Sequence, residues 1–279
     1  MLLDNVPSAP SASGVPGVPG GAEAPRSARL LDSVHRIGAL ARHNMLIRLR
    51  DPGQMISYIV MPMVLMLVLK PLYVRAVDGG ATQVATGLMV MFSVFAMAMV
   101  GNAILSERTW HTWDRLRVSR ASAPELLVGK VLPLFAVMVV QQTLLLVYGC
   151  LVIGLPVPPA PHVVLLAIAL WAFALLAVGA ALATVVRSHG ELSVITDVGA
   201  LTLSSLGGAL VPLSIMPDWA QFAAHASPGY WALILMQAAV RGDVAGALPS
   251  AGVLLAIGLL AGAFAARRLA RGWARGGLI

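Results

Sequence analysis

Between Val131 and Val186 the chain carries no Asp, Glu, Lys or Arg. About a quarter of the residues of an ordinary soluble domain are charged, so a stretch of this length without one belongs in a solvent that disfavours charge. Hydrocarbon is that solvent: about 20 apolar residues cross a bilayer as a helix, and this stretch holds two crossings. The whole chain follows the same pattern, with 279 residues of which 58% are hydrophobic and 11% charged. Hydrocarbon offers the backbone no hydrogen-bond partners, so helices satisfy it most simply, and a barrel would need short alternating segments that are absent. The expectation is an all-α polytopic membrane protein.

Six spans are predicted, at about Met55 to Val74, Val84 to Leu105, Val131 to Gly154, Val163 to Val186, Leu192 to Val211 and Pro249 to Ala266. Gly79 and Gly80 break the chain after the first, and Pro156, Pro158, Pro159 and Pro161 after the third. Proline is tolerated in a first helical turn but not in a helix interior, so Pro249 fits a helix start and Pro62 predicts a kink. Residues 1–27, rich in Pro, Gly, Ser and Ala, lack the basic start and apolar core of a secretory signal and read as a disordered cytoplasmic tail. The membrane domain covers residues 28–266, and a basic tail follows at 267–279.

Of the 19 Lys and Arg residues, Lys70, Arg75 and Arg241 fall on one side when the loops are assigned alternately, and all others on the opposite side. Basic loops stay cytoplasmic, so both termini are expected inside the cell membrane. The formal charge of +7 therefore reflects topology and not nucleic-acid binding. Leu30, Val34, Ile37 and Ala41 recur at helical spacing before the first span, which predicts an amphipathic interfacial elbow helix over 28–50, with arginines available to anionic headgroups. A plain basic anchor is the simpler alternative.

A transporter needs an energy source, yet no G-x-x-x-x-G-K-[ST] phosphate loop occurs, and Gly129-Lys130 lacks the upstream glycine. The chain is thus expected not to be an enzyme, with ATP and magnesium, if used, held by another polypeptide. No H-E-x-x-H or G-x-S-x-G motif is present, and His189-Gly190-Glu191 lacks the P-C-x-x-C that would make it a deaminase signature. No metal site and no cofactor of its own are expected. Cys150 is alone, so no intrachain disulfide can form.

Polar side chains inside the spans are few. Gln141, Gln142, Asp197, Ser204 and Ser205 are candidates for a translocation pathway. Asp197 is the costly one, since a mid-helix carboxylate costs about 2.5 to 3.5 kcal/mol on insertion scales. Hydration near the interface or pairing with Arg187 is the plainer reading. From Glu107 to Lys130 the charged loop ERTWHTWDRLRVSRASAPELLVGK is longer than a minimal turn. Trp110, Trp113 and Leu116 would share a helix face there, a plausible docking element because Trp and Arg favour interface hot spots; headgroup anchoring by the tryptophans is the alternative. From Pro212 to Asp243 the chain is apolar but broken by Pro212, Pro217, Pro228 and Gly229, which predicts two short re-entrant helices on the far side.

These features together resemble the membrane subunits of ABC type-2 exporters of the daunorubicin-resistance permease kind. The resemblance rests on RLRDP (Arg48 to Pro52) after the amphipathic helix, Pro62 in the first span, the loop from Glu107, the stretch LGGALVPLSIMPDW (Leu206 to Trp219) and SPGYWAL after it. The family loop reads E-R-x-x-G-T with a later proline, where this chain has His111 and Arg120. The resemblance implies that two six-span subunits pair, each binding a cytoplasmic ABC ATPase through the elbow and the loop. Glu107, Arg108, Thr112, Trp113, Leu116 and Arg117 would then be the coupling residues. Alternating access would export a hydrophobic or amphipathic drug, antibiotic or lipid-like molecule. An ion-coupled transporter would want internal repeats and several midplane charges; a non-transporting scaffold would share the docking loop but lack a pathway.

Overall fold

The computed structural model describes residues 26–50, 53–109 and 123–270, and among these every regular segment is helical. The amphipathic stretch forms α1 (Arg26–Arg50). A second helix, α2 (Gly53–Ala76), runs unbroken through Pro62, the site of the expected kink, and through Pro71. It presents Val60, Val64, Leu67 and Leu72 outward. The turn to α3 (Gly80–Thr109) is made at Gly79, where φ is +72°. A Cβ on Gly80 would lie 2.1 Å from the Tyr73 carbonyl oxygen, so only glycine permits so close a return.

The centre of the bundle is α3. Val84, Leu88, Met89, Val94, Met97, Val100 and Ile104 are all buried along it. The long charge-free stretch becomes α4 (Ala123–Tyr148), which ends in a π-helical turn at Gly149–Ile153, and α5 (Pro161–Ala183). Pro161 occupies the first turn of α5, where its missing N–H has no intrahelical partner to lose. Lys70 donates to the Val152 carbonyl at 3.1 Å, holding the π turn against α2. Trp171 of α5 donates from Nε1 to the Ser93 hydroxyl of α3 at 2.6 Å, a buried tie between two apolar helices.

The next helix, α6 (His189–Leu206), opens with a cap. Ser188 Oγ accepts from the Glu191 N–H at 3.1 Å, while the Glu191 carboxylate accepts from the Arg187 N–H at 2.7 Å. The His-Gly-Glu stretch thus starts a helix. The predicted span to Val211 is cut short at Leu206, because the chain turns at Gly207 and at Gly208, where φ is +85°. A Cβ on Gly207 would come within 2.7 Å of the Tyr230 backbone nitrogen. Two short helices follow a single 3₁₀ turn, as expected: α7 (Asp218–Ala224) and α8 (Pro228–Arg241). The last helix, α9 (Val244–Ala270), begins before Pro249, because the Asp243 carboxylate caps it by accepting from the Gly246 N–H at 2.9 Å.

Around α3 pack α2, α4, α5, α6 and α8, and α9 lies on α5 and α8. Among the described residues, five helical stretches are long and apolar enough to cross a membrane: Ile56–Ala76, Gly80–Ser106, Val128–Ile153, Pro161–Ala183 and Val244–Leu269. The protein is a multi-pass membrane protein. The predicted fifth span is not among the five: α6 has 18 residues, about 27 Å at 1.5 Å per residue, and carries Glu191 and Asp197.

Close helix approach makes one position especially intolerant. A methyl group at Gly87 of α3 would stand 2.1 Å from the Ala209 carbonyl oxygen, and backbone cannot swing aside as a side chain can. Gly87→Ala is expected to cost about 1–3 kcal/mol, read as a lowered unfolding midpoint in detergent; an unchanged midpoint would contradict this packing.

Candidate partner-docking site

The Arg-rich ends of four helices are tied together by polar contacts between elements. Ser33 and Arg36 share a face of α1, three residues apart, and both reach Glu125 in the first turn of α4. Arg36 donates from Nη2 to Glu125 Oε1 at 3.0 Å and from Nε to Oε2 at 3.3 Å. The Ser33 hydroxyl donates to the same carboxylate and accepts from Arg36 Nη2 at 3.0 Å. A two-point guanidinium–carboxylate contact fixes angle as well as distance, and a carboxylate in a first helical turn is favoured by the helix dipole. The bond to Glu125 holds the Arg36 guanidinium above its ordinary range.

Below this clamp α1 and α4 come into close contact. A Cβ on Gly129 would lie 2.8 Å from the Leu40 Cβ, so glycine sets the spacing. One residue on, Lys130 is largely buried and donates to the Ala103 carbonyl of α3 at 3.2 Å. On the other flank of α3, Asn102 Oδ1 meets His189 Nδ1 of α6 at 2.8 Å. With the Asn102 oxygen as acceptor, this nitrogen is the donor. The ends of α1, α3, α4 and α6 are therefore locked on both sides of the segment that joins α3 to α4.

That segment contains the predicted coupling residues. Glu107 and Arg108 lie in the last turn of α3, while Thr112, Trp113, Leu116 and Arg117 lie outside the described residues. In the sequence, Glu125 sits at the end of the charged loop and Arg36 in the basic elbow helix, with nothing to join them. The only available signal was the helical register that puts Ser33 and Arg36 on one face.

The candidate pathway residues do not converge. Gln141 Nε2 donates to the Tyr58 carbonyl of α2 at 3.0 Å, and Gln142 Nε2 to the Met89 carbonyl of α3 at 3.0 Å. Both side chains are buried, and Ser204 of α6 is buried with its hydroxyl unpartnered among the described residues. Ser205 is half-buried, and Asp197 is exposed on a face it shares with Val194, Val198 and Leu201. The helices α4 and α6 both lean on α3 and do not pack on each other.

Gln142 Oε1 has no partner among the described residues. Gln142→Met, close in volume, removes that orphan acceptor and is expected to change stability by less than about 1 kcal/mol or to raise it. A fall of several degrees in detergent would show that the amide is needed for folding.

The family model of the ABC-2 type transporter matches residues 35–240, from within α1 almost to the end of α8. An inner membrane transport permease of Escherichia coli (strain K12), YhhJ, is 28% identical over 132 residues, covering 46% of this chain and 35% of that protein. The protein of the same name in Shigella flexneri matches to the same extent. The matched stretch thus spans about a third of these relatives' length. The family match covers well over half of the chain, from α1 through most of α8, and the chain belongs to the ABC-2 type transporter family.

Proposed function

We propose that this chain is the membrane-spanning permease subunit of an ATP-driven exporter, with the ATPase on a separate polypeptide docked at the α1–α4 clamp. The observation that carries the reading is the clamp itself. Ser33, Arg36 and Glu125 tie an amphipathic helix to the start of α4, immediately after a loop rich in Trp and Arg. A partner pressing on that loop would move α1 and α4 as one unit, since Gly129 and Leu40 leave no slack between them. A chain of this family with no phosphate loop needs such a partner.

On this reading α6 makes the sixth crossing, which keeps both termini on the cytoplasmic side of the cell membrane. Asp197 then lies on an exposed face with Val194, Val198 and Leu201, where a carboxylate is costly against lipid and needs cover. A second permease subunit, of the same or a similar chain, covers that face or borders an aqueous path with it. The substrate class is hydrophobic or amphipathic, such as a drug, antibiotic or lipid-like molecule. The α7–α8 segment dips into the outer leaflet as a lid over the path.

Replacing both Leu116 and Arg117 with alanine is expected to abolish association with the ATPase while leaving membrane insertion intact. Co-purification of the ATPase with this double variant at the wild-type ratio would sink the docking assignment.

A further inference from the structure

A narrow apolar slot of about 260 Å³ lies between α6 and α9. Trp171 of α5 forms its floor, Ile195, Gly199 and Leu203 of α6 one wall, and Ile257 of α9 the other. The two walls touch little, and Gly229 at the start of α8 lines the slot beside Leu203. The slot runs along about 12 Å of α6, from Ile195 to Leu203 at 1.5 Å per residue. Its almost wholly apolar lining suits a hydrocarbon chain.

Leu182, near the end of α5, lines the slot on the side where these helices end in basic residues. Arg187 follows α5, and Arg267 and Arg268 stand in the last turn of α9, all three exposed. Arg268 lies over the Phe264 ring at 5.9 Å, which keeps its stem along the helix. The acidic group facing this end is Glu191, whose carboxylate takes the Arg187 backbone N–H, so the balance of charge is positive. Basic residues at the ends of membrane helices attract anionic headgroups.

We infer that this slot holds one acyl chain of an anionic phospholipid from the leaflet on the arginine-rich side, filling the gap between α6 and α9. The lipid completes the packing of α6, the short helix, against the rest of the bundle. Gly199 offers a clean test. A Cβ there meets nothing within 4 Å, so the position leaves room for a side chain to enter the slot, and glycine-to-leucine in a helix favours the helix.

The purified full-length chain, washed in delipidating detergent, is examined by native mass spectrometry with phosphatidylglycerol carrying a diazirine near the end of one tail. Phosphatidylcholine serves as comparison. One phosphatidylglycerol per chain is expected to be retained, with photolabel on peptides containing Trp171 or Ile257. Gly199→Leu is expected to lower retention at least tenfold, and the Arg267→Gln, Arg268→Gln double variant several-fold. Retention unaffected by Gly199→Leu, equal retention of phosphatidylcholine, or label spread over the outward face of α2 would overturn the inference. So would a disulfide between two copies carrying Gly199→Cys in a Cys150→Ala background, since a neighbouring helix would then fill the slot. None of these readouts involves an ATPase or transport, so the inference stands or falls apart from the exporter reading.

Discussion

Trp171→Ala is expected to cost about 3 kcal/mol or more of stability, at the low end of the range for buried aromatic truncations because lipid weakens the transfer term. The side chain is 2% exposed and is the largest fully buried residue in the bundle. Its removal leaves a void between α5 and α3 that the flanking helices cannot close, since Met97 already touches the Gly179 position: a Cβ there would lie 2.8 Å from the Met97 carbonyl oxygen. The Ser93 hydroxyl loses its donor but still bonds the Val90 carbonyl at 2.5 Å, so the lost hydrogen bond is the smaller part. Trp171→Phe keeps most of the volume and is expected to cost only about 1 kcal/mol, near the net worth of one hydrogen bond. Unfolding midpoints of both variants in one detergent separate packing from hydrogen bonding. Equal losses would show that the bond and not the volume matters.

The second large effect is expected at the clamp. Glu125→Arg places like charges together between α1 and α4, and transport by the assembled complex is expected to fall more than tenfold while the helices still insert. Arg36→Glu alone is expected to behave the same way. Combining the two substitutions restores an opposite pair, with the carboxylate now on α1, and is expected to recover much of the activity. A double variant no better than either single one would show that these residues act separately and that α1 and α4 are not joined through them.

Much of the architecture was legible from hydropathy alone, and its failures have local causes. The charge-free stretch yielded α5 to within about three residues and the end of α4, but α4 starts eight residues before Val131, at Ala123, because Glu125 and Lys130 find polar partners there. Ala209, Leu210 and Val211 continue the apolar run of α6, yet the helix stops at Leu206, since the turn at Gly207 and Gly208 follows from backbone freedom and not from hydropathy. The early start of α9 depends on one capping side chain, Asp243. Gln141 and Gln142 show the limit for sites: a polar residue bonded to a neighbouring carbonyl and one facing a path look identical in a string of letters. The Arg36–Glu125 pair joins residues 89 positions apart, and no local pattern in either segment announces the other.

An ATPase on a separate polypeptide drives this chain in the proposed exporter, and purification of the tagged chain from its native membranes in mild detergent, with mass spectrometry of what accompanies it, tests that dependence. A phosphate-loop ATPase in near-stoichiometric amount is the predicted result. Its repeated absence, with the chain intact and folded, would contradict that dependence.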